Sequence, residues 1–388
     1  MNLDLHLTTS CNMKCSFCGA WEQDISNYTI SLEDAVHTLE EGKKFGYKFL
    51  TLTGGEPLLH KNIKEIITYA SQLGYWICVT TNGLKIDDDL IETLKCTRCQ
   101  LRISLHTTDR NFHKEITQTD TWDIVLANMK KLADNAILFG IGMTVYEDNL
   151  QEIPNLAELA WRQGASFIRF TPVVGIRGGE GLKSDEDFYF RMLTSICTCA
   201  LDNYHLLNYR LNRSLQGKQM LDFMMTRQCA AGSNLFMILD ALGNIVPCSF
   251  IEKKYDLYQP GFETANDFNK TINKMDQVFN FIQENGLSGE CKNCLFVHSC
   301  KGGCIANKLS LGLQVTDEQP ICYRKIMHRV LNQFTDKQKE KLINYWTYHF
   351  MQKCIGADKN KVCFRRLPIW EFNYRYELGS RLREEFFL

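Results

Sequence analysis

Three cysteines stand close together in the run Cys11-Asn12-Met13-Lys14-Cys15-Ser16-Phe17-Cys18, directly after the short apolar stretch 3–7. Four-iron clusters are ordinarily held by four cysteine thiolates. Three thiolates in one tight C-x3-C-x2-C loop hold such a cluster one ligand short, leaving one iron open to a small molecule. That opening marks radical chemistry rather than simple electron storage. A second loop with chemical character is Gly54-Gly55-Glu56-Pro57. Its paired glycines let backbone approach a ligand closely, Pro57 fixes the turn, and Glu56 offers an anionic acceptor. A third set lies far along the chain: Cys229, Cys248, then Cys291-x2-Cys294-x5-Cys300-x3-Cys304, then Cys322. C-x2-C with two more thiols nearby could bind zinc, but seven thiolates suggest two metal centres.

These loops need a frame, and the first half of the chain supplies an alternating one. Strand patterns fall at 3–8, 48–52, 75–80, 100–105, 136–145 and 166–171. Amphipathic stripes lie between them: Leu32, Ala35, Val36, Leu39; Ile63, Ile66, Ile67, Ala70; Trp122, Val125, Leu126, Met129, Ala133; and residues 150–161. Ser31 with Asp34 reads as a capping box opening the first helix. Gly74 stops the second and Gly164 follows the last. These stripes are core packing. Strand–helix alternation implies parallel β-structure with right-handed crossovers. Function in such a sheet collects at the carboxyl ends of the strands, where the three-cysteine loop, the Gly54–Pro57 loop, Thr81-Asn82-Gly83 and Ser104 all fall. From about 216 the alternation stops. Residues 235–239 and 244–247 flank Asp240-Ala241-Leu242-Gly243 as a β-hairpin, and 323–388 is helical in pattern and aromatic-rich.

Composition narrows the class. The chain has 388 residues, 45% of them hydrophobic, enough for a large core. Net charge is −1, which gives no electrostatic case for nucleic acid or an acidic membrane surface. The longest apolar run, 136–145, is too short to span a bilayer, and no signal peptide opens the chain; a cytoplasmic protein is expected. Seventeen cysteines in that reducing compartment argue for metal binding over disulfides. Cys78, inside the apolar run 75–79, reads as a small buried apolar residue.

Cys11-x3-Cys15-x2-Cys18, with aromatic Phe17 before the last cysteine, resembles the signature of the radical S-adenosylmethionine (radical SAM) superfamily. Gly54–Pro57 resembles that family's second motif, which holds the methionyl amino group of S-adenosylmethionine. The resemblance covers about residues 1–215 and implies a partial (β/α)6 barrel. It also implies a first [4Fe-4S] cluster that binds S-adenosylmethionine, with Gly54, Gly55, Glu56, Pro57, Asn82 and Ser104 as cofactor contacts. Many relatives read S-I-D-G at the fourth strand, where this chain reads Ser104-Leu105-His106-Thr107. Many peptide-modifying relatives place an arginine shortly downstream; here the run is His113-Lys114-Glu115-Ile116-Thr117, which lacks it.

The distant cysteines resemble the SPASM extension of radical SAM enzymes, which carries two auxiliary [4Fe-4S] clusters, making three in all. By that resemblance Cys291, Cys294, Cys300 and Cys322 hold the outer cluster, and Cys229, Cys248 and Cys304 the inner one. The inner cluster has either an open iron or an unexpected ligand such as Cys197 or Cys199. The expected organisation is an α/β barrel at 1–215, a cysteine-rich SPASM domain at 216–325 and a helical extension at 326–388. SPASM enzymes mostly oxidise or cross-link residues of peptides. The resemblance thus implies maturation of a ribosomally made precursor peptide, fed by an electron donor such as flavodoxin or ferredoxin. Only ten residues precede Cys11, so either a separate leader-peptide-binding protein or a leader contact through the tail, 323–388, is expected. A tetrapyrrole side-chain or other small-molecule oxidase is the alternative. A sulfatase-maturing enzyme is disfavoured, because Ser249 follows Cys248 where that branch has an aspartate. A non-catalytic iron–sulfur or zinc protein is the reading outside enzymology.

Overall fold

The computed structural model describes residues 2–18, 28–173, 182, 185–202, 223–224, 236–240, 243–246, 248, 259–260, 282, 284–294, 302–318 and 321–342. Six strands form first: β1 (Asn2–His6), β2 (Phe49–Thr53), β3 (Trp76–Thr81), β4 (Cys99–Ser104), β5 (Phe139–Val145) and β6 (Phe167–Pro172). Each pairs in parallel with the next. The crossovers run through α1 (Leu32–Lys44), α2 (Ile63–Gln72), α3 (Asp88–Lys95), α4 (Arg110–Thr117), α5 (Trp122–Asp134) and α6 (Ile153–Arg162); α7 (Glu186–Asp202) follows β6. This is the parallel α/β architecture that the alternation predicts. Two strand ends differ for local reasons. Ala136 takes a left-handed φ of 56° and Ile137 N–H still bonds Leu132 of α5, so β5 starts at Phe139. At β1, Thr8 leaves the ladder to bridge Thr29.

The strands have two unlike faces. Leu3, Leu5, Leu50, Leu52, Ile77, Val79, Leu101, Ile103, Ile141 and Met143 are all essentially inaccessible and pack with the helix stripes in one core. Burying each is worth roughly 1.5–3 kcal/mol. The opposite face carries Asp4, Thr51, Cys78, Thr80, Gln100, Arg102, Ser104 and Arg169, placed by the period-two alternation and the strand register. Cys78 therefore belongs to the polar face, not to the apolar core that its flanking residues suggest.

Helix α1 shows how sequence sets an end. Ser31 Oγ accepts from Asp34 N–H at 3.0 Å, but the Asp34 carboxylate takes the Ser31 hydroxyl at 2.6 Å instead of completing the reciprocal backbone bond. The cap is half of the box that the sequence suggests. Ser31→Ala should lower stability by about 1 kcal/mol, read from the urea midpoint at unchanged slope.

The hairpin expected near 240 is present as β8 (Phe236–Leu239) and β9 (Asn244–Val246), antiparallel, with Gly243 at φ 80°. Its first strand also pairs in parallel with β1, Leu5 against Leu239. With β7 (Phe223–Met224) beside β6 and β10 (Gln259–Pro260) beside β9, one ten-stranded sheet runs β10-β9-β8-β1-β2-β3-β4-β5-β6-β7. Past it lie α8 (Ile305–Ser310) and α9 (Tyr323–Leu331). Helix α9 buries Ile326, Met327, Val330 and Leu331 in the main core, and Arg329 pairs with Glu186 of α7 at 2.6 Å. Residues 336–342 are helical; the rest of the predicted extension lies outside the described residues. Among the described residues no helix is long and apolar enough to cross a membrane.

Candidate functional site

Every loop singled out from sequence, except those of the distant cysteines, sits at the carboxyl ends of β1 to β4. After β1 the chain runs through residues 7–10 into the cysteine loop, zipped to the loop after β2 by backbone bonds. Gly55 N–H donates to Thr8 O at 2.7 Å and Glu56 N–H to Ser10 O at 2.8 Å. A Cβ on Gly54 would fall under 3.0 Å from Thr8 O, and one on Gly55 under 3.0 Å from Ser10 O. Gly54 also has φ 130°. The paired glycines are thus required first for two loops of the chain to meet, before any ligand is considered.

Glu56 is 1% exposed. Its Oε1 accepts from Leu58 N–H at 2.9 Å and the Thr81 hydroxyl at 2.7 Å, and its Oε2 from Asn82 N–H at 2.7 Å. Burial pushes its pKa up, against the pull of those three donors. Asn82 in turn donates from Nδ2 to Asn12 Oδ1 at 2.7 Å. Gly83 holds φ 79°, so the Thr81-Asn82-Gly83 turn presents Asn82 directly to the cysteine loop. The first, second and third loops are one hydrogen-bonded unit, and Asn12, which sequence reading passed over, closes it. Ser104 ends β4 on the polar face, opposite Gly142.

The far side of the cysteine loop rests on α4. Carbonyls in the last turn of a helix lack intrahelical partners. Those of Ile116 and Thr117 accept from Ser16 N–H at 2.9 Å and Lys14 N–H at 3.2 Å. The stretch that lacks the family's arginine therefore serves the loop through its backbone. Phe17 packs edge-on against His106, centroids 4.7 Å apart, and against Tyr146 at 5.9 Å. His106 is 5% exposed. Its Nδ1 accepts from Thr144 N–H at 3.1 Å, which leaves the proton of the neutral ring on Nε2. Burial, then His113, pull its pKa down to about 3. His106 is a positioning residue under Phe17. Because the folded value lies below the unfolded one, stability is lost as pH falls from 6.5 through about 3. His106→Asn should flatten the stability–pH curve across that window in urea titrations.

Cys18 lies close enough to Cys11 and Cys15 to raise both thiols, and Cys11 raises Cys15. Burial first, then Cys18 and Cys11, push the Cys15 thiol up to about 12. Cys11 rises as well, through burial, then Glu56 and Cys18. Clustered thiols on one anchored loop, two of them held back from ionising, suit a cationic iron core, because the thiolate is the ligating form. The donor set fits a cluster. Among the described residues no three His, Cys, Asp or Glu side chains are pre-assembled at metal-ligand distances, so iron would draw the thiols together.

Of the distant cysteines, Cys248, Cys291, Cys294, Cys304 and Cys322 are described, whereas Cys229 and Cys300 lie outside the described residues. Cys248, Cys291 and Cys304 pack on one small cluster of Ile282, Leu287, Ile305 and Ala306. Cys304 and Cys322 stand at the N-cap positions of α8 and α9, without a side-chain capping bond. Lys325, which feels the charge of Cys322, pairs with Glu290 at 2.8 Å, bringing the Cys291 turn to the start of α9. Cys197 and Cys199 lie on the core side of α7, both buried. Burial pushes both thiols up, Cys199 to about 12. That placement sets both among the hydrocarbon of the main core.

Known proteins resemble this chain in sequence and in fold. A probable GTP 3′,8-cyclase of Saccharolobus solfataricus is 34% identical over 170 residues, which span 43% of this chain and 55% of that protein. The chain thus matches about half the length of that relative. An AdoMet-dependent heme synthase of Methanosarcina barkeri is 24% identical over 342 residues, 81% of this chain and 94% of that protein. Among solved structures, Streptococcus suis SuiB bound to S-adenosylmethionine aligns with TM-score 0.64 at 18% identity, over 83% of this chain and 77% of its own. The anSMEcpe structure with AdoMet and the Kp18Cys peptide aligns with TM-score 0.66 at 14% identity, over 89% and 100%. At such identities the likeness is one of fold. Residues 5–160, which contain the cysteine loop and both loops locked to it, match the model of the Radical SAM superfamily.

Proposed function

We propose that this protein matures a ribosomally made precursor peptide by radical S-adenosylmethionine chemistry in the cytoplasm. The observation that carries the reading is the single unit formed by the cysteine loop, the Gly54–Pro57 loop and the Asn82 turn at one end of the sheet. Cys11, Cys15 and Cys18 hold the [4Fe-4S] cluster. Gly54, Gly55, Glu56, Pro57, Asn82 and Ser104 line the S-adenosylmethionine site. When bound, the cluster and S-adenosylmethionine would together supply radical chemistry able to take hydrogen from an unactivated C–H bond. The protein supplies position and exclusion of water. Glu56 and Asn12 fix the loops against each other, and Phe17 on His106 fixes the loop's outer edge.

Supporting a peptide substrate, five of the seven distant cysteines gather around the short helices that follow the sheet. The same fold is seen in SuiB bound to precursor peptide SuiA. Cys291, Cys294, Cys300 and Cys322 would hold one auxiliary cluster, and Cys229, Cys248 and Cys304 the other, serving net oxidation of the peptide. A separate leader-binding protein and a flavodoxin or ferredoxin complete the system. The test is anaerobic reconstitution with iron, sulfide and dithionite. It should give a brown protein that forms 5′-deoxyadenosine and shifts the mass of a peptide encoded beside it. A colourless zinc protein would refute the reading.

A second reading, a tetrapyrrole or other small-molecule oxidase, is favoured by the relation to the M. barkeri heme synthase over 94% of that protein. A spectral change on adding a porphyrin, with no peptide mass shift, would select it.

A further inference from the structure

We propose that Lys308 sets the reduction potential of the auxiliary iron–sulfur centre at Cys304, by holding a buried positive charge beside it. The proposal rests on the auxiliary-cluster reading above and names a residue of the chain that tunes that centre. Lys308 is 0% exposed, and among the described residues no other lysine or arginine is buried. It stands one helical turn after Cys304, on α8, and its N–H donates to Cys304 O at 3.1 Å. Helical side chains lean toward the turn that precedes them. Here the lean is visible: a Cβ on Gly302 would sit 2.7 Å from Lys308 Nζ and 2.8 Å from Cδ2 of Leu287. The ammonium has therefore reached back to the residue two before Cys304, where it meets Leu287. Leu287 belongs to the small apolar cluster on which Cys248, Cys291 and Cys304 pack.

The position is fixed from the other side as well. Lys308 Nζ donates to Val315 O at 3.0 Å. Next to Val315, Thr316 O accepts from Ser288 N–H at 2.8 Å, and the Glu318 carboxylate accepts from Glu290 N–H at 3.1 Å. The stretch 315–318, which leads to Cys322, thus ties the turn before Cys291 to Lys308 on α8. The donor set and the cation suit each other. Thiolates gathered around iron carry net negative charge, which is costly in an apolar lobe unless an opposite charge is held nearby. Reduction adds one electron, and with it one more unit of negative charge. A fixed cation favours that form, because the potential of a cluster follows the charge and hydrogen bonding around it. Burial keeps such a charge from being screened by salt. Lys325, near Cys322, gives the contrast: it is exposed and paired with Glu290.

The test uses the full chain carrying Cys11→Ala, Cys15→Ala and Cys18→Ala, so that only auxiliary centres load. It is reconstituted anaerobically and titrated against redox mediators under electron paramagnetic resonance. The signal that a further Cys304→Ala removes reports the centre in question. Held at the midpoint of the chain with Lys308 intact, Lys308→Met should lower the ratio of reduced to oxidised centre at least ~10-fold, about 59 mV for one electron. Lys308→Gln keeps a donor for Val315 O and should lower the ratio as much, whereas Lys308→Arg keeps the charge and should hold it within ~3-fold. Lys325→Met should change it less than ~2-fold. An unchanged ratio in both neutral variants at normal iron content overturns the proposal; a lowered urea midpoint alone makes Lys308 a staple for 315–318. Loss of iron from both neutral variants overturns it too, as does an equal shift in Lys325→Met. A chain without Cys11, Cys15 and Cys18 that holds no iron at all sinks the auxiliary-cluster reading and this proposal together. Iron present with an unmoved potential sinks the proposal alone.

Discussion

Gly55→Ala should abolish 5′-deoxyadenosine formation by the reconstituted protein, a loss of at least ~100-fold, and reduce its iron content. The added methyl meets a backbone oxygen, Ser10 O, inside any permitted contact distance, and a backbone cannot rotate away as a side chain can. The loops must part, breaking the bonds from Gly55 to Thr8 and from Glu56 to Ser10. Each is worth about 0.5–1.5 kcal/mol net, and the total loss of stability should reach several kcal/mol. Gly46→Ala is the control. Gly46 also has a positive φ, 85°, but no atom lies within 4 Å of the added carbon. It should cost about 1 kcal/mol with turnover unchanged. Iron per chain, product chromatography and urea midpoints separate the two. Retention of normal iron and turnover in Gly55→Ala would mean that the loops are not locked as described.

Replacing Glu56 should have the second-largest effect, on stability as well as on turnover. Glu56→Ala strands three buried donors, Leu58 N–H, the Thr81 hydroxyl and Asn82 N–H. The expected loss is ~3–5 kcal/mol. Glu56→Gln keeps one oxygen but turns an amide N–H₂ toward a donor already present, and should fall between. The variants also test pH. The folded pKa of Glu56 is raised, so the folded state binds its proton more tightly than the unfolded chain. Stability contributed by this group therefore falls as pH rises from about 4.5 through the folded value. In Glu56→Gln that decline should vanish from the urea-derived stability profile. Were Glu56 only a cofactor contact, Glu56→Ala would raise the KM for S-adenosylmethionine and leave the urea midpoint in place.

Much of the frame was readable because it is written locally. The spacing of Ile63, Ile66, Ile67 and Ala70 marks α2, and all four are buried. Gly74 and Gly164, both at φ 79°, end helices where the pattern stops. The three loops of the site were legible because cysteines, glycines and a proline at strand ends are costly choices without a purpose. What stayed hidden involves partners distant along the chain. Nothing near residue 236 announces that β8 will lie beside β1. Glu56 reads as a ligand because the residues that occupy it, Thr81 and Asn82, are far off in sequence. Backbone acceptors such as Ile116 O and Thr117 O leave no residue-type trace at all. Cys78 was misplaced by its neighbours Ile77 and Val79. The alternation of the paired β4, with Gln100 and Arg102 facing one way and Leu101 and Ile103 the other, was the signal that could have corrected it.

The partnership of β1 with β8 also bears on synthesis. Strand β1 occupies Asn2–His6, and the strand that covers its outer edge is Phe236–Leu239. At ~5–20 residues per second, the ribosome delivers the second tens of seconds after the first. Through that interval the edge leading into Cys11, Cys15 and Cys18 has a row of unsatisfied amides and carbonyls, the kind that recruits stray strands. Iron delivered early meets a half-built seat, and iron delivered late meets a finished one. The yield of active protein in a cell should then depend on chaperone supply and on the timing of cluster delivery as much as on the amount of iron.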